Sequence, residues 1–188
     1  MFQRHAADPF SWRLSQKLHG CVCSSPIHDM KSGRRKSAGL LVFRRRAGEI
    51  EVLLAHMGGP FWQGKDEGAW SIPKGEFETE EPFEAALREF EEETSLRPTG
   101  KFIELTPVKQ PGGKTVHAWA VEFECDAATI KSNRFSMEWP RGSGRMCDFP
   151  EIDRAEWFSL SVARKKILKG QAALMDQLQQ ALLARHES

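Results

Sequence analysis

The chain has 188 residues, 40% of them hydrophobic, enough to bury one sizeable core and to make one domain with extensions rather than two full domains. Its 27 Lys and Arg nearly balance 26 Asp and Glu, so no overall charge draws it to nucleic acid or to a membrane. No apolar run reaches the length of a membrane span, no secretory apolar core follows the first charges, and Cys21, Cys23, Cys125 and Cys147 match neither a zinc ribbon nor a dense disulfide framework; a reducing cytoplasm is the expected home.

In chain order, residues 1–36 mix His, Cys, Ser, Pro and basic side chains without a sustained apolar period, and are expected to form a poorly structured extension. Met30 offers an alternative start. Cys21 and Cys23 with His19 and His28 could in principle ligate a metal, but no metal is expected in such a segment. A domain is expected over 37–188. It begins with β-favouring runs at 38–43 and 51–55 joined by a turn at Ala47-Gly48, the pattern of a hairpin. A Gly- and Pro-rich loop follows, then a short run at 69–72 leading into Pro73-Lys74-Gly75. A helix is predicted over 82–94, with Pro82 acceptable in its first turn. Paired strands are predicted at 101–109 and 115–124 across Pro111-Gly112-Gly113, a further strand at 155–160, and a closing helix at 171–184 with Leu174, Leu178, Ala181 and Leu182 on one face. This order implies an α/β or α+β layered domain, a mixed sheet with helices packed on it.

The chemistry concentrates between Gly75 and Glu93, where nine glutamates stand against one basic residue, Arg88. On the predicted helix Phe83, Ala86, Leu87 and Phe90 form the apolar stripe. Glu89, Glu92 and Glu93, spaced i, i+3 and i+4, are expected to converge on the opposite side. Close carboxylates repel unless a cation sits among them, and Mg²⁺ favours a few carboxylates together with substrate phosphates. A glutamate-rich helix is otherwise an ordinary solvated face.

The stretch Gly75-Glu76-Phe77-Glu78-Thr79-Glu80-Glu81-Pro82-Phe83-Glu84-Ala85-Ala86-Leu87-Arg88-Glu89-Phe90-Glu91-Glu92-Glu93-Thr94-Ser95-Leu96 closely resembles the Nudix box, G-x5-E-x7-R-E-U-x-E-E-x-G-U. The resemblance implies a Nudix fold, a mixed sheet sandwiched between helices, and a hydrolase that uses Mg²⁺ or Mn²⁺ to cleave a phosphoanhydride in a small nucleotide-type substrate such as a nucleoside triphosphate or dinucleoside polyphosphate. It implies Gly75, Glu89, Glu92 and Glu93 as metal ligands, with Arg88 orienting the glutamates. Glu151 is the preferred general base over Glu138 and Glu156. Lys74, Trp70 and Trp62 are the expected substrate contacts. Two departures stand out: the loop after Gly75 is one residue short if Glu80 fills the isolated glutamate position, the preferred choice over Glu81, and Ser95 replaces a glycine suited to a left-handed helix end. The competing readings are a non-catalytic Nudix-like nucleotide-binding module, a calcium-binding acidic helix, which would need the Asp/Asn-rich loop absent here, and an RNA-processing role, for which only Arg34-Arg35-Lys36 and Arg44-Arg45-Arg46 offer basic clusters.

Overall fold

The computed structural model describes residues 35–185; residues 1–34 of the expected extension, with Met30, Cys21 and Cys23, lie outside them, while Lys36 already belongs to the first strand. Strands β1 (Lys36–Arg46) and β2 (Glu49–Met57) form the expected hairpin. The two turn residues, Ala47 and Gly48, have φ of 51° and 83°, the positive values a tight two-residue hairpin turn requires. β1 also pairs in parallel with β6 (Thr115–Glu122), which pairs antiparallel with β5 (Ile103–Lys109). On the other side β2 pairs with β9 (Ile152–Ser159). The result is a mixed sheet.

Towards its N-terminal end β1 leaves β2, and the short strands β3 (Trp70–Ser71) and β4 (Lys74–Phe77) enter between them. β3 pairs with β2 at Ala55 and His56, while β4 pairs with β1 from Lys36 to Gly39. The Pro73 carbonyl accepts from the Leu40 N–H at 3.2 Å. Gly75 thus stands opposite Ala38, and continuing the β1–β2 register puts it level with Met57.

Both faces of the sheet are covered, so β1 is buried on both sides and reads as a continuous apolar run. Ala38, Leu40 and Val42 pack with Ala85, Ala86 and Phe90 of helix α1 (Pro82–Thr94). Leu41 and Phe43 share the opposite core with Leu174, Met175, Leu178 and Leu182 of α3 (Ala173–Ala184) and Ala163 of α2 (Leu160–Lys166). This is the layered α+β arrangement expected. The sequence reading missed β4 and a separate two-stranded sheet made by β7 (Arg134–Glu138) and β8 (Met146–Pro150).

That hairpin and loop 58–68 lie at the same end of the sheet as Gly75. Gly58 donates its N–H to the Glu151 carbonyl at 2.9 Å, and Glu151 donates its own N–H to Asn133 at 2.8 Å. A Cβ on Gly58 would come within 2.0 Å of the Pro150 carbonyl oxygen, so only glycine allows the loop this close to the hairpin. Buried His56 fastens the other end of the loop, with Nδ1 2.7 Å from Asp153 Oδ1 and Nε2 2.8 Å from the Lys65 carbonyl.

Candidate functional site

Helix α1 presents two faces to the protein, and this revises the sequence expectation. Glu89 and Glu93 do not lie on the solvent side: they are 7% and 5% exposed, whereas Glu92 is exposed. The reason is the start of β4. The Lys74 N–H donates to Glu93 Oε2 at 2.7 Å. The Glu89 carboxylate fills the space beside Gly75, where an added Cβ would stand 1.6 Å from Oε2. Phe83 and Leu87, expected in the buried stripe, are only half-buried, while Ala85 joins Ala86 and Phe90 inside.

Arg88 gathers the acidic groups. Its Nη2 donates to Glu80 Oε2 at 2.8 Å and its Nε to both Glu80 oxygens at 3.2 Å, while Nη1 reaches Glu89 at 2.8 Å and Glu92 at 3.2 Å. A planar guanidinium suits this multiple pairing, and the bonds to Glu80 first, then those to Glu89, raise its pKa further. In turn Arg88 holds the Glu80 carboxyl below its ordinary value. Glu80, not Glu81, is therefore Arg88's partner despite the short loop. The exposed Glu81 instead begins α1, its carbonyl accepting from the Ala85 N–H at 3.0 Å.

The expected convergence of Glu89, Glu92 and Glu93 is partial: among the described residues no three acidic, His or Cys side chains surround a common point. Arg88 draws Glu89 and Glu92 together, and the Lys74 amide takes Glu93. The donor set still suits a hard divalent cation, because carboxylates and the backbone of Gly75 offer oxygen alone. At the helix end Ser95 adopts φ 60°, ψ 23°, and its N–H donates to the Glu91 carbonyl at 2.8 Å. Serine accepts the left-handed conformation, so the turn is kept.

The other expected residues divide. Glu151 is half-buried between β8 and β9, at the rim beside Gly58. Glu138 accepts from the Gly144 N–H at 2.6 Å inside the hairpin, and Glu156 pairs with Arg154 at 3.3 Å on β9. Trp70 does not present a stacking surface: it is 1% exposed, between His56 and Phe158 at centroid distances of 5.1 and 4.8 Å. Its Nε1 donates to Asp66 at 3.0 Å. Asp66 also takes Lys166 Nζ at 2.5 Å, and that bond, then the indole, keep its carboxyl below the usual value. Trp62 packs partly against the core shared with α2 and α3, with Lys65 Nζ 5.1 Å from its ring centroid. Lys74 is 4% exposed, an interior side chain rather than a surface cation. Arg44 lies at the far end of β1, stacked over Trp157 at 4.3 Å and paired with Glu51 and Glu124.

Sequence reading missed Gln171, which is fully buried. Its Oε1 accepts from the Ile72 N–H at 3.1 Å and its Nε2 donates to Ser71 Oγ at 3.0 Å, bracing the strand that enters Gly75. A separation of 99 to 100 residues leaves no local signal for that contact.

The family model for the NUDIX domain matches residues 33–178. The chain belongs to the Nudix family. Solved structures with this fold include an Ap4A hydrolase of C. elegans, 22% identical with a TM-score of 0.55, covering 80% of this chain and 98% of its own. Another is the NUDIX domain of Shewanella oneidensis NrtR complexed with ADP ribose, 17% identical with a TM-score of 0.58, covering 82% and 94%. A mutT/nudix family protein from Listeria innocua is 17% identical with a TM-score of 0.55, covering 83% and 98%. Sequence comparison with curated proteins found no match. The Nudix box of this chain thus sits on the Nudix fold, and no helix among the described residues is long and apolar enough to cross a membrane.

Proposed function

We propose that this Nudix protein is a hydrolase that cleaves a phosphoanhydride bond in a small nucleotide-linked substrate, such as a nucleoside triphosphate or dinucleoside polyphosphate. The observation that carries the reading is the burial of two carboxylates, Glu89 and Glu93, against the backbone of Gly75 and Lys74. Placing two anions there costs stability, and a site that must hold positive charge against a diphosphate explains the arrangement. Glu89, Glu92, Glu93 and the Gly75 carbonyl would hold Mg²⁺ or Mn²⁺. When bound, such a cation neutralises phosphate charge and lowers the pKa of a water.

The protein's own groups do the rest. Arg88 fixes the rotamers of Glu89 and Glu92 through Nη1, while the Lys74 amide fixes Glu93. Glu151, at the rim, is the proposed base that takes a proton from the attacking water. Substrate contact shifts from the enclosed Trp70 and Lys74 to the rim formed by loop 58–68, which includes Trp62, and the β7–β8 hairpin. The free thiols of Cys125 and Cys147 support a reducing, cytoplasmic setting. Two structural neighbours, by their own descriptions an Ap4A hydrolase and a domain holding ADP ribose, support the nucleotide-linked substrate class.

The test is a product-release panel of nucleoside triphosphates, dinucleoside polyphosphates and ADP-ribose with Mg²⁺ or Mn²⁺, with chelator controls. Turnover of at least one, abolished by chelator, is the expected result. Binding without any turnover would favour a non-catalytic nucleotide-binding module instead.

A further inference from the structure

β4 has a second face, turned away from the carboxylates of α1. Successive side chains on a strand alternate, so while Gly75 faces Glu89, Lys74 and Glu76 point to the other side of the sheet. A Cβ on Gly39 would meet that of Lys74 there at 2.4 Å. On this side Lys114 Nζ pairs with Glu76 Oε1 at 2.6 Å, the lysine side chain 3% exposed and the glutamate 21%.

A buried ion pair is a poor source of stability, because desolvation of both charges offsets their attraction and apolar side chains of similar size often serve as well or better. Its place in the sheet gives this pair another use. β4 has four residues and, among the described residues, one strand partner, β1. Lys114 immediately precedes β6, which lies on the other side of β1. Its side chain therefore crosses β1, where buried Ser37 stands opposite both Glu76 and Val116. The base of the lysine is held in turn: its carbonyl accepts from the Gln110 N–H at 2.8 Å, and the Thr115 N–H donates to the Arg35 carbonyl at 3.0 Å. Gly170 packs on the same turn, where an added Cβ would stand 3.0 Å from the Gln110 Cα. A cation on a fixed base thus grips the residue next to Gly75 from the side opposite Glu89.

We propose that Lys114, acting through Glu76, is a positioning residue that holds β4 at the depth where Gly75 meets Glu89 and the Lys74 amide meets Glu93. The proposal rests on the hydrolase reading for what that placement serves. Without the pair β4 stays in the sheet through β1, but its amide and carbonyl groups are no longer held at a fixed distance from the two buried carboxylates. The chemical step then suffers, while contacts at the rim are untouched, so kcat falls and KM does not.

The test compares wild type with Lys114→Met, Glu76→Met and the double variant. It reads the melting temperature, hydrogen exchange at the Lys74 amide in metal-free protein, and kcat and KM on the nucleotide of the panel that wild type turns over. Each single variant strands one buried charge and should melt lower, whereas the double variant removes both and should melt at or above wild type. In the double variant Lys74 exchange should quicken by at least about tenfold through local opening. Its kcat should fall by at least about tenfold with KM unchanged, since misplacement by about an ångström costs about a hundredfold elsewhere. Wild-type exchange or wild-type kcat in the double variant overturns the proposal, and so does a lowered melting temperature, the mark of a merely structural pair. If wild type turns over no nucleotide, the hydrolase reading falls, and Lys74 exchange in the double variant alone decides whether the pair positions β4.

Discussion

A side chain at Gly75 must displace Glu89, because the Glu89 carboxylate occupies the position of a Cβ. Gly75→Ala should displace Glu89 and lower kcat by about a hundredfold, as misplacement by about an ångström does elsewhere, while circular dichroism and the melting temperature change little. Glu80 acts through Arg88. Its folded pKa is depressed by the guanidinium, so its contribution to stability is present above the unfolded carboxylate value and is lost as pH falls through the folded value. Glu80→Gln should therefore cost about 0.5 kcal/mol at pH 7, the scale of a part-exposed pair, and less in strong acid; urea titrations at the two pH values measure the difference. Ser95, held at φ 60°, should become more favourable as glycine: Ser95→Gly should stabilise by about 1 kcal/mol, read as an upward shift in Tm. The identities of these residues were legible because the box is contiguous. The inward placement of Glu89 and Glu93 was not, because helical spacing groups side chains by angle and cannot say that β4 covers them.

The elements most legible in the sequence were those with a strong period or a marked turn. Helix α1 occupies the predicted span of 82–94, since Pro82 opens it and apolar residues recur at helical spacing. The β1–β2 hairpin is specified by Ala47-Gly48. The β7–β8 sheet was missed, although Gly142-Ser143-Gly144 is a turn signal, because its strands are half-buried and alternate only weakly. Long-range braces left no pattern at all. Gln171 secures Ser71 and Ile72 from the far end of the chain, so Gln171→Ala leaves the buried Ile72 N–H without its acceptor. This should cost about 1–3 kcal/mol in chemical denaturation and raise hydrogen exchange at Ile72.

At the scale of the whole molecule, the sheet opens at one end so that β3 and β4 can enter between β1 and β2. That insertion delivers Gly75 beneath α1, with loop 58–68 and the β7–β8 hairpin on the far side of the same edge. Buried cores on both faces fix the geometry, leaving the rim to differ in what it recognises. The near-balance of charge accords with local rather than global attraction for a phosphate chain. The most direct test of the central claim compares substrate turnover by wild type and Glu92→Gln under the same Mg²⁺ or Mn²⁺ conditions. Glu92 is exposed, its side chain at 48%, so the variant should remain folded by circular dichroism. The account predicts a loss of at least about a hundredfold in kcat, the scale on which one electrostatic contact to a transition state is felt. A folded Glu92→Gln variant that turns over at the wild-type rate would contradict it.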